Sequence, residues 1–146
     1  METLNTTKTM QLHVVSAEEE LFSGKVTQVF ATGETGEMGI FPGHLQLLTS
    51  LKPGQVRYVP KEGEQDVIFV SGGILEVQPT VVTVLADTAM RAADIDENAA
   101  EEAKRRAEEL IADKSRSEVD YQKALIQIAE ASAKLRAIKD LHKYIK

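Results

Sequence analysis

Glycine and proline are confined to one stretch of the chain and alanine is concentrated in the rest, and this most narrows what the chain can fold into. All nine glycines fall between Gly24 and Gly73, and all four prolines between Pro42 and Pro79. Alanine runs the other way, with Ala17, Ala31 and Ala86 before position 88 and thirteen from Ala89 onward. Glycine and proline punctuate turns, whereas alanine with dense mixed charge favours helix. The 146 residues therefore divide close to 87–94 into a turn-rich part and a helical part. Charge divides there as well. Residues 1–88 hold 5 Lys+Arg against 11 Asp+Glu, and residues 89–146 hold 12 against 12.

The first part reads as short strands. Segments 11–15, 26–32, 55–59, 67–70 and 81–85 are rich in β-branched and aromatic residues. Turn signals separate them: Thr32-Gly33-Glu34-Thr35-Gly36, Pro42-Gly43, Lys52-Pro53-Gly54, Glu62-Gly63 and Ser71-Gly72-Gly73. Turns about every ten residues predict an antiparallel β-sandwich or small barrel. Both faces of 67–70 and 81–85 are largely apolar, so both strands are expected to be covered on both sides.

The second part reads as an antiparallel pair of helices, giving a two-part α+β fold. Asp94 and Asp96 are N-cap candidates, and Asp94-x-x-Glu97 has capping-box spacing. Ala99, Ala103, Ala107, Leu110 and Ile111 form a narrow face of mostly small side chains, and 113–117 carries the turn. Tyr121, Leu125, Ile128, Ser132, Leu135, Ile138, His142 and Ile145 then alternate in steps of four and three, as a seam does. Alanine-lined faces bury little area at ~25 cal/mol per Å², so such a hairpin has competing states within reach. A weakly docked element is suited to movement.

Several function classes drop out. No cysteine is present, which removes disulfides, thiol nucleophiles and most structural zinc sites. No apolar run approaches the ~20 residues of a membrane-spanning helix, and residues 1–10 lack the apolar stretch of a signal peptide. An acidic balance with 5% aromatics argues against nucleic acid. His13, His44 and His142 lie in three different elements, without metal-ligand spacing. His13 follows strand alternation as a core or edge residue. His44 is either a turn cap or an interface contact. Neither a G-x-S-x-G elbow nor a phosphate loop occurs. Catalysis and a bound cofactor are not expected.

Specific strings carry more. VVSAEEELFSG (14–24), GEMGIFPGHLQLLT (36–49), KPG (52–54) and SGGILEVQP…VTVLAD (71–87) closely resemble the epsilon subunit of bacterial F-type ATP synthase. DIDENAAEEAKRRAEELI (94–111) and VDYQKA (119–124) continue the resemblance, which spans about 11–139. It implies a β-sandwich over 11–88 that binds the gamma subunit and the c-subunit ring. It implies a regulatory helical hairpin over 89–146, with residues 1–10 left as an extension. A subunit of this kind turns with the central stalk, coupling proton flow to ATP synthesis. Its hairpin folds onto the sandwich or extends into the catalytic head of alpha and beta subunits, where it inhibits ATP hydrolysis. The resemblance places the protein at the cytoplasmic face of the bacterial plasma membrane, peripherally and without insertion.

The resemblance also assigns residues. Glu34, Thr35, Gly36 and Glu37 match the acidic turn that touches the c ring, although a merely solvated Glu37 fits the same sequence. Pro42, Gly43 and His44 match the region facing gamma. Lys134, Arg136, Lys139, Lys143 and Lys146 stand against Asp140 alone in 134–146. This basic tail suits the acidic segment of the beta subunits, or simply keeps the hairpin solvated. Some family members bind ATP between hairpin and sandwich, so a stand-alone nucleotide-binding module is the alternative function. Tight binders carry I/L-D-x-x-R-A. Here Ile95 and Asp96 remain but Ala99 replaces the arginine, and Glu130 and Lys134 stand where a second helix places two arginines. Arg91, Lys123 and Arg136 are the remaining cations that offer compensation. Loss of guanidinium donors beside an added carboxylate predicts a degenerate ATP site.

Overall fold

The computed structural model describes residues 8–144. Most of the expected N-terminal extension, and the seam and tail positions Ile145 and Lys146, lie outside the described residues. Eight strands come first: β1 (Met10–Ser16), β2 (Glu20–Gly33), β3 (Gly36–Ile40), β4 (Leu47–Pro60), β5 (Asp66–Val70), β6 (Gly73–Val77), β7 (Val81–Ala86) and β8 (Ala89–Arg91). A 3-10 turn at Ala92–Asp94 leads into α1 (Glu97–Ala112) and α2 (Glu118–Tyr144). All five expected strands are present; β3, β6 and β8 are additional. Met10 is 2% exposed and opens β1, while β8 pairs with β5, so the sheet reaches slightly beyond 11–88 at both ends.

The strands lie in the order β3-β2-β1-β7-β6-β4-β5-β8, and β2 also pairs with β4. That extra pairing closes β2, β1, β7, β6 and β4 into a flattened sandwich. One pair departs from the antiparallel expectation: β1 and β7 run parallel from Gln11↔Val81 to Ser16↔Ala86. They are far apart in sequence, so no short hairpin dictates their direction.

Lys52-Pro53-Gly54, expected to be a turn, is instead a bend inside β4. Residues 47–51 pair with β6 and residues 54–58 with β5, so the bend transfers one strand between neighbours. A Cβ at Gly54 would fall 2.6 Å from the Thr32 Cβ, so the close crossing of β4 and β2 requires glycine.

Leu12, Val14, Val26, Val29, Val56, Ile68, Val70, Leu75, Val77, Val82 and Val84 fill the sandwich. As expected, β5 is covered on both faces: Ile68 and Val70 point into the sandwich, Val67 and Phe69 toward the helices. The same expectation fails for β7, where Leu85 is 52% exposed and pairs across to exposed Ile74. Only one face of β7 has a protein layer over it among the described residues.

Asp96, the second of the two cap candidates, caps α1: its Oδ1 accepts from the Ala99 N–H at 3.1 Å. Asp94 ends the preceding 3-10 turn, so the Asp94–Glu97 capping box does not form. Between the helices, the Ser115 N–H and hydroxyl donate to Asp113 at 3.0 and 2.6 Å, holding its carboxyl below the usual range. The helices bury small residues, Ala100 and Ala107 on α1 and Ala124 and Ala131 on α2. This corrects the seam expected on α2. Tyr121, Leu125 and His142 are exposed, and of that series Ile138 alone is buried among the described residues. On α1, Ala99 is likewise exposed and Ala100 takes the inward place. Close approach selects the alanines, and the larger seam residues are displaced to the flank.

Candidate functional site

The four groups of sequence-assigned residues occupy a hairpin tip, a loop, a cleft and the C-terminal part of α2. The first is the tip of the β2–β3 hairpin. Gly33 pairs with Gly36, leaving Glu34 and Thr35 as an exposed two-residue turn, with Gly36 at φ 132°. Glu37 lies not in this turn but in β3, opposite Thr32. Its carboxylate accepts from the Arg57 guanidinium of β4. Arg57 is itself stacked 4.8 Å from the centre of the Phe30 ring. Glu37 is therefore a held carboxylate with one half-exposed side, not a freely solvated one.

The second place is the loop after β3. Gly43 adopts φ 88°, and its N–H donates to the Pro79 carbonyl at 2.9 Å. The His44 Nδ1–H donates to the Leu45 carbonyl at 2.7 Å, which fixes the ring against its own loop. Pro42 and His44 are half-buried. Around them Phe41, Leu45 and Leu48 stand out to solvent, Leu45 at 82% exposure. Sequence reading named the Pro-Gly-His motif and missed this apolar rim. The run Phe41–Leu48, apolar at a loop, was the available signal.

The third place is a cleft of ≈ 640 Å³ between α1 and α2, bordered at one end by Met90 of β8 and by residues 94–96. Ile95, Asp96, Ala99, Glu130 and Lys134 all line it, so the five positions assigned to a degenerate ATP site share one wall-to-wall space. Arg106 lines it too and was missed, although it follows Ala99 by seven residues and so shares its helix face. The charged lining is Arg106 and Lys134 against Asp94, Asp96 and Glu130. The Asp96 carboxylate is committed to capping α1. Of the suggested compensating cations, Arg91 donates to the Leu21 carbonyl at 2.6 Å and lines another hollow. Arg136 borders a groove beside Thr32, Glu37 and Gln55. Lys123 is exposed on α2 outside the cleft lining.

The basic tail is not a uniform solvated face. Lys139 and Lys143 are exposed, but the Lys134 ammonium lies 5.3 Å from the centre of the Phe69 ring. Arg136 Nε stands 3.6 Å from Asp140 Oδ2. Asp140, the one acid of this segment, is buried against Gln55 of β4. Around these contacts, Ala137 and Leu141 of α2 cluster with Val67, Phe69 and Ala92, flanked by Ile95 and Ala133. Among the described residues, this small cluster, the Gln55–Asp140 contact and the Lys134–Phe69 contact are among those that join α2 to the sheet.

Elsewhere, burial and the neighbouring Asp66 carboxylate push the Tyr58 hydroxyl well above its ordinary range. Tyr58 donates to Asp66 at 3.2 Å and stays protonated at any physiological pH. Among the described residues, no three His, Cys, Asp or Glu side chains come together to hold a metal ion, and no helix is long and apolar enough to cross a membrane.

Residues 9–92 match the family described as ATP synthase, Delta/Epsilon chain, beta-sandwich domain. Residues 93–139 match the corresponding long alpha-helix domain. An ATP synthase epsilon chain from Nitrosococcus oceani is 56% identical over 135 residues, covering 92% of this chain and 96% of that one. A chain in the Euglena gracilis mitochondrial ATP synthase (OSCP/F1/c-ring, rotational state 1) has the same fold, with TM-score 0.80 at 22% identity. The match covers 89% of this chain and 81% of the Euglena chain. A chain from the Tetrahymena thermophila mitochondrial ATP synthase central stalk and c-ring gives 0.61 at 12% identity, covering 90% and 98%. With both domain families matched in order across residues 9–139, and an epsilon chain of nearly the same extent more than half identical, this chain belongs to the epsilon-chain family of the ATP synthases.

Proposed function

We propose that this chain is a non-catalytic rotor subunit, coupling proton flow to ATP synthesis, whose hairpin leaves the sheet to inhibit ATP hydrolysis. The observation that carries the reading is the sparse docking of α2. The sandwich has its own closed core, while α2 meets the sheet through a separate small cluster around Ala137 and Leu141 and through polar contacts such as Gln55–Asp140. Undocking leaves the sandwich core intact and exposes only the small second cluster, Val67 and Phe69 foremost, so the two arrangements differ modestly in energy.

The partners follow from the hairpin tip, the loop after β3 and the basic tail. The turn Glu34–Thr35, with Gly36 and Glu37, is the foot on the c-subunit ring. The loop Pro42–His44, with its apolar rim, is the contact with gamma. Arg136, Lys139 and Lys143, already exposed, and Lys134, released from Phe69, are carried to alpha and beta subunits once α2 departs. Such a subunit works peripherally at the cytoplasmic face of the bacterial plasma membrane. The test is cross-linking of Ile138→Cys to gamma or beta in the assembled complex, with and without ATP. Cross-links that appear in one nucleotide condition and vanish in the other support the reading. A hairpin that never reaches either partner overturns it.

A further inference from the structure

Gln55 and Asp140 are 7% and 8% exposed, the two buried polar residues of the described chain. They meet where α2 crosses β4: the Gln55 Nε2 donates to Asp140 Oδ2. The other end of the same amide, Gln55 Oε1, is buried with no hydrogen-bond partner. Turning the amide over gives no relief, because it would set a carbonyl oxygen against the carboxylate. The nearby Arg136 guanidinium, 3.6 Å from the same carboxylate oxygen, is 71% exposed, so water weakens its pull. Apolar Val67, Phe69, Ala137 and Leu141 make up the adjoining contact between α2 and the sheet.

From this juxtaposition we infer that Gln55 and Asp140 form a polar latch: it fixes the register in which α2 docks while keeping the docked state easy to leave. The inference rests on the movable hairpin proposed above. A buried polar pair that is only partly satisfied contributes less than an apolar contact of the same shape. Sliding α2 by one turn would bury the Asp140 carboxylate without its donor, so one register is selected. Undocking, by contrast, returns the carboxylate and both ends of the amide to water. The latch therefore discriminates between docked registers and makes release cheaper. Breaking it is the polar step in freeing α2.

Because the chain has no cysteine, Ala137→Cys supplies a single thiol at a position that is 0% exposed when α2 is docked. Its rate of reaction with a small disulfide reagent reads how often the hairpin opens in the full chain. Replacing the pair together, Gln55→Met with Asp140→Leu, should slow labelling by about tenfold. Gln55→Glu, which faces one carboxylate with another, should speed it by about tenfold or more. Slow amide exchange in the strands verifies that each variant keeps its sandwich. Labelling of the doubly apolar chain at or above the native rate overturns the latch. Should that chain fail to fold, Gln55→Glu decides alone, and an unchanged rate overturns the latch equally. ATP hydrolysis by the assembled complex tests the inhibitory reading separately. Altered labelling with unaltered hydrolysis keeps the latch and removes the inhibition.

Discussion

The Lys134 ammonium lies 5.3 Å from the centre of the Phe69 ring, tying the basic end of α2 to the outer face of β5. A cation over an aromatic face contributes ~0.5–1 kcal/mol where water has access. Lys134→Met keeps the apolar stem and removes the charge, so hairpin opening should rise by roughly two- to fivefold. Thiol labelling at Ala137→Cys measures it. In a Phe69→Leu background the same change should have little further effect. An equal effect in both backgrounds would show that the charge acts elsewhere.

Deleting residues 117–146 should leave the sandwich folded, because its core contains no α2 residue. Val67 and Phe69, 0% and 2% exposed beneath α2, then become solvent-facing. A truncated chain with native strand circular dichroism and increased binding of a hydrophobic dye is the expected result. In the assembled complex the same deletion should raise ATP hydrolysis. Hydrolysis at the parent rate across all ATP concentrations would sink the inhibitory role.

Replacing Glu37 and His44 together by alanine should weaken assembly or coupling without unfolding the sandwich. The Glu37–Arg57 pair is partly exposed and contributes only ~0–1 kcal/mol. Proton pumping per ATP hydrolysed in reconstituted membranes is the readout. Parent values for both pumping and assembly would remove the hairpin tip and the His44 loop from the contact surface.

The isolated protein should not bind MgATP at micromolar concentrations. Its cleft offers Arg106 and Lys134 to a polyanion but sets Asp94, Asp96 and Glu130 beside them. Each missing charge-assisted hydrogen bond is worth ~1.5–3 kcal/mol, or at least about tenfold in affinity. Ala99→Arg with Glu130→Arg should accordingly create measurable binding. Calorimetric titration of both proteins decides it. A micromolar dissociation constant for the unaltered chain would contradict the assignment.

The residues that could be placed from sequence were those whose behaviour is local. Asp96 was a cap candidate because a short carboxylate ahead of an alanine-rich, charge-paired run satisfies free N–H groups wherever that run sits. The five strands were visible as β-branched segments between turn signals. Ile95, Asp96, Ala99, Glu130 and Lys134 could be grouped only through the family resemblance, and their shared cleft needed the two helices brought together. Arg106 lies seven residues after Ala99 on the same helix, and its role depends on what faces it across the cleft.

What the sequence by itself determined is the division into a sandwich and a helical hairpin, since glycine, proline and alanine act on the backbone within a few residues. Tertiary structure alone decided the parallel β1–β7 pairing, the 52–54 bend within β4 and the solvent exposure of Leu85. It also decided that Glu37 is held by Arg57 and that Asp140, read as one acid in a basic tail, is buried against Gln55 eighty-five positions away. Each of these depends on which distant segment lies opposite. Pairing and burial across such separations are set by how the whole core closes, and no local propensity encodes them.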